Sequence, residues 1–189
     1  MKLLRITVIA TAVAAGALPL SAQADSGSAT GSGTISATAD LSFRVVIPRY
    51  IFLRVGAAAA TVTRLDYNPT LTEIENSTSV LATGGDTGGG AEVTLQIRGN
   101  AGALTLAASN LANLVSGTDN IPSSTLTGVS FSGGVVAPPA FGSSAAIAAA
   151  TNGTVNQNGT WRFTWANPAG TTYPAGTYDG TVMYTLATP

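Results

Sequence analysis

The sequence contains no cysteine and no histidine, and Lys2 is its single lysine. Without these side chains, neither a Ser-His-Asp nor a Cys-His catalytic triad can be built. The usual ligands of a structural zinc ion are missing as well. Because disulfides are excluded, the chain must be stabilised by its apolar core and its backbone hydrogen bonds. These absences argue against an enzyme and against a bound cofactor.

Charge is also scarce, since Asp, Glu, Lys and Arg make up 9% of the residues and the formal net charge is −1. The arginines are dispersed, and no basic stripe of the kind that a nucleic-acid surface needs is present. After the first 24 residues, no apolar run is long enough to span a bilayer, and the run at residues 145–150 has only six residues. The sequence therefore predicts neither a nucleic-acid partner nor a membrane span in the mature chain.

The first residues have the pattern of an export signal. Lys2 and Arg5 form a short basic region, and residues 7–20 are mainly apolar. Residues 21–24 (SAQA) then provide the small-x-small site that a signal peptidase recognises. We expect residues 1–24 to be removed and the mature protein to be exported, either as a secreted molecule or as part of a structure outside the cell.

The rest of the composition is typical of an all-β protein. Short segments rich in Val, Leu and aromatic residues recur between turns that contain Gly, Pro and Asn, which predicts about eight strands. We predict an immunoglobulin-like antiparallel β-sandwich with Greek-key connections. Residues 25–33 contain no large apolar side chain and form a flexible leader, and residues 34–189 form one sandwich domain.

Residues 34–47 (TISATADLSFRVVI) are the longest alternating segment. Every second residue from Ile35 to Ile47 is apolar, and the intervening residues are polar except Val46. This period predicts a half-buried strand, because successive side chains of a strand point to opposite faces. At about 3.3 Å per residue the strand would extend for roughly 45 Å, whereas ordinary strands have about 5–6 residues. Such a length suits a strand that crosses between two sheets of one molecule, or one that serves two molecules.

The middle of the chain carries weaker patterns. Residues 92–98 alternate, and we predict that they form a hairpin with the apolar run at residues 104–106. Residues 126–131 are a further predicted strand. The glycine-rich residues 84–90 (GGDTGGG) predict a loop, and the alanine-rich residues 145–150 predict one turn of helix.

Trp161, Phe163 and Trp165 lie on one face of a predicted strand at residues 159–166. Alternating aromatic residues of this kind usually belong to a core, where each buries a large apolar area. The alternative is a platform on which Trp161 and Trp165 stack against a sugar ring. Exposure of either indole distinguishes the two interpretations.

Glu73 and Glu75 are the only close pair of carboxylates, and Asp66 lies near them in sequence. Two carboxylates can act as acid and base on a glycoside, and a third would make a calcium site conceivable. Residues two apart in a strand usually form a solvated edge, which is the interpretation that we favour. Asp86 and Glu92 flank the glycine loop. For these two residues as well, a calcium site is conceivable, and we favour a solvated surface.

The two ends of the chain together resemble a known family. The export signal, the leader and the early alternating strand are followed at the other end by residues 173–186 (YPAGTYDGTVMYTL). This arrangement is similar to that of chaperone–usher fimbrial subunits, many of which end in an Ala-Gly-x-Tyr segment followed by alternating Val, Tyr and Leu. The resemblance is specific only at these ends. Many such subunits also carry a disulfide between their first two strands, which this chain lacks.

In that family, the sandwich of each subunit lacks one strand, and the N-terminal segment of a neighbour fills the groove by β-strand addition. The resemblance implies that residues 34–40 are donated to the next subunit, while residues 41–47 begin the subunit's own fold. The implied subunit contacts are Ile35, Ala37, Ala39 and Leu41.

The resemblance also implies partners and a location. The partners are copies of this chain or related subunits, a periplasmic chaperone and an outer-membrane usher. The location is the periplasm in transit and then a cell-surface fimbria that supports adhesion or biofilm formation. The alternative function is a secreted or surface-attached monomeric sandwich that binds cell-wall material or a glycan.

Overall fold

The computed structural model describes residues 26–58, 62–87 and 90–189. The predicted signal peptide, residues 1–24, lies outside the described residues. The chain divides into two units, one that ends at Ile47 and one formed by Pro48–Pro189. Within the described ranges, no helix has both the length and the apolar character needed to cross a membrane.

The unit Pro48–Pro189 is built almost entirely from antiparallel strands, which confirms the predicted all-β class. Among the described residues of this unit, one short helix, α1, and one 3-10 turn at Ser123–Thr125 interrupt the strands. In chain order the elements are β1 (Ile51–Val55), β2 (Leu65–Asp66), α1 (Leu71–Glu75), β3 (Ser79–Leu81), β4 (Thr83–Gly84), β5 (Glu92–Gly99), β6 (Leu104–Ala108), β7 (Asn113–Ser116), β8 (Asp119–Pro122), β9 (Leu126–Ser132), β10 (Ser144–Ile147), β11 (Val155–Ala166) and β12 (Tyr184–Ala187).

The long strand β11 is the centre of the larger sheet. One edge of β11 pairs with β5 and then with β3, and its other edge pairs with β9; β1 pairs with the far edge of β5. A second sheet has the order β10-β6-β12, and β2–β4 and β7–β8 form two small ladders. In the described chain the larger sheet therefore ends in β1 and β3 on one side and in β9 on the other, and the smaller sheet ends in β10 and β12.

The two sheets contribute to one core. Every second side chain of β5 is buried, including Leu95 and Ile97. The same is true of β6, where Leu104 and Leu106 are buried. Both pairs pack in the same cluster as Trp161 of β11. Burial of every second side chain is what the period of two requires when one face of a sheet covers a core.

The predicted hairpin of residues 92–98 with the run at 104–106 is wrong, although both segments are strands. β5 pairs with β1 and β11, whereas β6 pairs with β10 and β12, so the chain changes sheets between Gly99 and Leu104. Two short alternating strands joined by a short turn can form a hairpin or can lie in two different sheets. Both arrangements direct the apolar face of each strand to the core, so the sequence pattern does not distinguish them.

The predicted turn of helix at residues 145–150 is also wrong, because Ser144–Ile147 pair with β6 as β10. Alanine favours helix locally, but burial of Ile147 in the shared core and the ladder to β6 outweigh that preference. The predicted strands at residues 126–131 and 159–166 are confirmed by β9 and β11. Of the predicted loop at residues 84–90, Gly84 belongs to the short strand β4, and residues 88–89 lie outside the described residues.

Candidate functional site

The predicted long strand at residues 34–47 forms no ladder. Every described residue from 26 to 47 is exposed, and none belongs to a strand or a helix. A strand exists only where its backbone N–H and C=O groups find partners, and the alternating sequence alone does not supply them. The first ladder among the described residues begins at Ile51, so residues 41–47 belong to no sheet, and neither do residues 34–40.

This segment exposes large apolar side chains at regular intervals. Leu41, Phe43, Val45 and Ile47 are 76%, 85%, 83% and 74% exposed, and Ile35 is 53% exposed. Ala37 and Ala39 are exposed as well. A contiguous set of exposed large apolar residues usually marks an interaction surface, whereas single exposed ones are common and need no explanation. We call residues 34–47 the alternating segment.

Both sheets of the unit Pro48–Pro189 have outer strands whose far edge has no ladder partner among the described residues. Two of these edges, those of β1 and β12, lie near each other, and we call them the open side. Leu53 and Val55 of β1, and Tyr184 and Leu186 of β12, pack against the shared core while remaining partly accessible. The open side therefore combines unpaired backbone groups with apolar side chains that are continuous with the core, which is the chemistry that an added strand requires.

The two sheets approach each other at the open side without pairing. Cα atoms of β1 and β12 come within 8 Å of one another, and no ladder connects them. A strand placed between them would need about 9.5 Å, because neighbouring strands lie roughly 4.8 Å apart. A strand that pairs with both edges must therefore push β1 and β12 apart by at least about 1.5 Å at their closest points.

The opposite side, which ends in β9 and β10, is closed by the connection between those strands. Val135 of this connection is buried in the shared core. The Val136 N–H donates to Gln157 Oε1 (2.8 Å), and the Trp161 Nε1–H donates to the Val136 carbonyl oxygen (2.7 Å). Pro138 packs so closely over Gly128 of β9 that a Cβ on Gly128 would lie 2.6 Å from the proline ring. We call β9, β10 and residues 133–143 the closed side.

Residues 48–50, where the alternating segment joins the folded unit, are fixed by the turn after β5. Asn100 Nδ2 donates to the Pro48 carbonyl oxygen (2.9 Å), and its Oδ1 accepts from the Tyr50 N–H (2.8 Å). The Asn100 N–H donates to the Tyr50 carbonyl oxygen (3.2 Å), and Arg49 Nη2 donates to the Ala101 carbonyl oxygen (3.0 Å). We call these five residues the clamp. The Gly99-Asn100 pair signalled a turn in the sequence, but nothing in the sequence connected it to Pro48.

Both tryptophans belong to cores. Trp161 is fully buried, and its ring lies 5.1 Å from that of Tyr184 and 6.3 Å from that of Phe163. Trp165 is 7% exposed in a second, smaller core that also contains Val80. A platform for a sugar needs an exposed ring face, and neither indole provides one.

Glu73 and Glu75 lie in the helix α1 and not on a strand edge, and Glu75 is exposed. The carboxylates of the sequence prediction other than Glu75 have structural partners. Glu73 forms a capping box with Thr70 at the start of α1, and the hydrogen bonds from Thr70 lower the pKa of Glu73. The Arg162 guanidinium donates to Glu92 (2.7 Å), and the Thr94 N–H donates to Asp86 (2.7 Å). Asp66 pairs with Arg64. The described part of the chain contains no group of three or more His, Cys, Asp or Glu side chains placed to hold a metal ion.

Tyr184 makes the open side sensitive to alkali. Burial raises the pKa of Tyr184 from 10.0 to about 12. An unfolded chain loses this phenol proton near pH 10, whereas the folded chain retains it up to about pH 12. The free energy of unfolding is therefore at its full value below pH 10, and we expect it to fall between pH 10 and 12 by up to about 1.4 kcal/mol per pH unit.

Urea unfolding at pH 8, 9, 10 and 11 tests this prediction with Tyr184→Phe as the comparison. The phenylalanine variant should lose less stability above pH 10 than the natural chain, because one titrating group has been removed. Burial also raises the pKa of Tyr67, so a residual alkaline decline should persist in the variant. Parallel curves for the two proteins would contradict the assignment.

Comparisons of the chain with family models, with curated proteins and with solved structures gave no match.

Proposed function

We propose that this protein is an exported structural subunit of a cell-surface fibre of the fimbrial type, assembled by β-strand addition. The alternating segment of one copy enters the open side of the next copy, so that each subunit completes its neighbour. The fold is then an immunoglobulin-like sandwich with one strand position unfilled. The observation that carries this proposal is that one chain has both an exposed apolar strand sequence without a ladder and a pair of unpaired edges beside its core.

Strand addition can hold such a fibre together without covalent links. Burial of each leucine, isoleucine, valine or phenylalanine is worth roughly 1.5–3 kcal/mol, and several of these side chains lie along the alternating segment. The unpaired N–H and C=O groups of β1 and β12 gain ladder partners at the same time. A stable assembly is thus compatible with a chain that has no cysteine.

The closeness of β1 and β12 supports a role for an assembly partner. An added strand must separate these edges. A subunit whose edges are separated before a strand is added exposes core residues and aggregates readily. A periplasmic chaperone that occupies the open side until the next subunit arrives solves both problems. We propose such a chaperone, and an outer-membrane usher, as partners of this chain.

Addition of a peptide to a shortened chain tests the proposal. A peptide of residues 34–47 should bind a chain that starts at Pro48 and raise its melting temperature. At a concentration 100 times the Kd, binding stabilises the folded chain by about 2.7 kcal/mol, which corresponds to roughly 5–10 °C for a protein of this size. Differential scanning calorimetry measures the shift.

The matched control is the same peptide with Leu41, Phe43 and Val45 replaced by serine. It can form backbone hydrogen bonds but has lost its apolar side chains, so we expect little or no shift. The chain that begins at Asp25 should form oligomers in size-exclusion chromatography with light scattering, and the chain that begins at Pro48 should not. Strand addition would be ruled out if the chain that begins at Pro48 does not bind the natural peptide and the chain that begins at Asp25 is strictly monomeric.

A further inference from the structure

The alternating segment is longer than the open side can accept. β1 has five residues and β12 has four, so the unpaired edges extend for about 13–17 Å. The fourteen residues of the alternating segment would extend for roughly 45 Å when they are fully stretched. Only about a third of the segment can therefore pair along these edges at one time, so no more than one of its two halves can enter the groove.

The two halves differ in side-chain size. Residues 34–40 offer Ile35 and the two small residues Ala37 and Ala39 to one face, whereas residues 41–47 offer four large apolar side chains to the same face. All four large side chains are exposed, and the ladder of the folded unit does not begin until Ile51. The hydrophobic contribution to binding scales with the apolar area removed from water, so the second half binds more strongly.

We infer that residues 41–47 are the donated strand and that Leu41, Phe43, Val45 and Ile47 are its four contacts with the next copy. This inference depends on the proposed function and specifies its register. Residues 26–40 then form a polar leader outside the groove. The expectation from the family resemblance placed the donated strand at residues 34–40 and left residues 41–47 in the subunit's own fold.

The clamp adds a consequence for the spacing of subunits. Pro48 and Tyr50 are held by Asn100, so the folded unit begins directly after Ile47. Only three residues separate Ile47 from β1, and they cover at most about 10–11 Å. When Ile47 lies in the groove of a neighbour, that neighbour must lie against the turn at residues 99–102. Consecutive subunits are then in direct contact and form a stiff fibre, whereas donation of residues 34–40 would leave a spacer of about 25 Å.

Aspartate substitutions distinguish the two registers in the full mature chain. Phe43→Asp should reduce the oligomeric fraction at least tenfold, because a carboxylate then enters an apolar groove. Ala37→Asp should change that fraction less than twofold. Ser42→Asp adds the same charge one residue away on the opposite face, and it controls for charge alone with a change of less than twofold. All three positions lie outside the ladders, so circular dichroism should be unchanged.

The outcomes separate the register from the function. A strong effect of Ala37→Asp with a weak effect of Phe43→Asp overturns the register and leaves strand addition intact. Oligomers that tolerate both substitutions, or a natural chain that never forms oligomers, overturn strand addition itself.

Insertion of Gly-Ser-Gly-Ser between Ile47 and Pro48 tests the spacing independently. Assembly should persist, and electron microscopy should show a more flexible fibre whose axial repeat is longer by up to about 13 Å. An unchanged repeat and an unchanged stiffness would show that the natural chain already has a spacer at this point, and would overturn direct contact.

Discussion

Replacement of Trp161 by alanine should remove a large part of the stability of the folded unit. Trp161 is fully buried between the two sheets, and it contacts Tyr184 at the open side and Val136 at the closed side. Truncation of a buried tryptophan costs about 3–5 kcal/mol, whereas a whole domain is stable by only about 5–15 kcal/mol. We therefore expect Trp161→Ala to be largely unfolded in mild urea, and to be marginally stable without it.

Two further variants separate the contributions. Trp161→Phe keeps an aromatic ring but leaves the Val136 carbonyl without its indole donor, so a smaller loss of about 1–3 kcal/mol is expected. Asn156→Ala, at an exposed position of the same strand, should change stability by less than about 0.5 kcal/mol. Urea unfolding followed by circular dichroism measures all three. A loss below 1 kcal/mol for Trp161→Ala would mean that the two sheets do not depend on this side chain.

Strong periodicity made some elements predictable from the sequence. Val93, Leu95 and Ile97 alternate with polar residues, and β5 buries all three. Trp161 and Trp165 belong to the same set of alternate residues of β11, and both are buried. In each case the apolar residues occupy every second position of one strand, which identifies the face that meets the core. The face could therefore be predicted without knowing which strands pair with it.

Elements that depend on their partners were not predictable. Ser144–Ile147 form a strand only because β6 provides a ladder and the core accepts Ile147. The sheet change between β5 and β6 depends on where β1, β10, β11 and β12 lie, and these partners are distant in sequence. The local sequence determines the strand propensity of a segment and which of its faces is apolar. Which strands pair with each other depends on the whole chain.

The same distinction applies to the candidate site. The alternating segment was evident from its period, and so was its excess length. The open side was not, because it is defined by the absence of partners for β1 and β12 among the described strands. The clamp was also missed, since Asn100 holds Pro48 across about fifty residues of chain. The proposed donated register depends on the start of β1 at Ile51, which the sequence pattern did not mark.

Enlargement of Gly159 should destabilise the fold and open its closed side. Gly159 lies on β11 opposite Leu95, and a Cβ at this position would overlap the Ser132 carbonyl oxygen and lie 2.8 Å from Val135 Cγ1. Ser132 ends β9, and Val135 fills the core from the connection that covers the closed side. Neither can move away without loss of these contacts, so Gly159→Val should cost about 3 kcal/mol or more, at or above the upper end of the usual cost of overpacking.

The expected change in assembly is more informative than the loss of stability. If each subunit accepts a strand only at its open side, the proposed strand addition produces a linear fibre. In Gly159→Val, displaced residues 133–136 would leave the edges of β9 and β10 accessible, and a second pairing site favours branching and aggregation. Light scattering at equal protein concentration should therefore rise above that of the natural chain, while Asn158→Ala, the exposed neighbouring position, should leave it unchanged. A variant that is destabilised but still forms only linear oligomers would show that the edges of β9 and β10 are protected by something other than this connection.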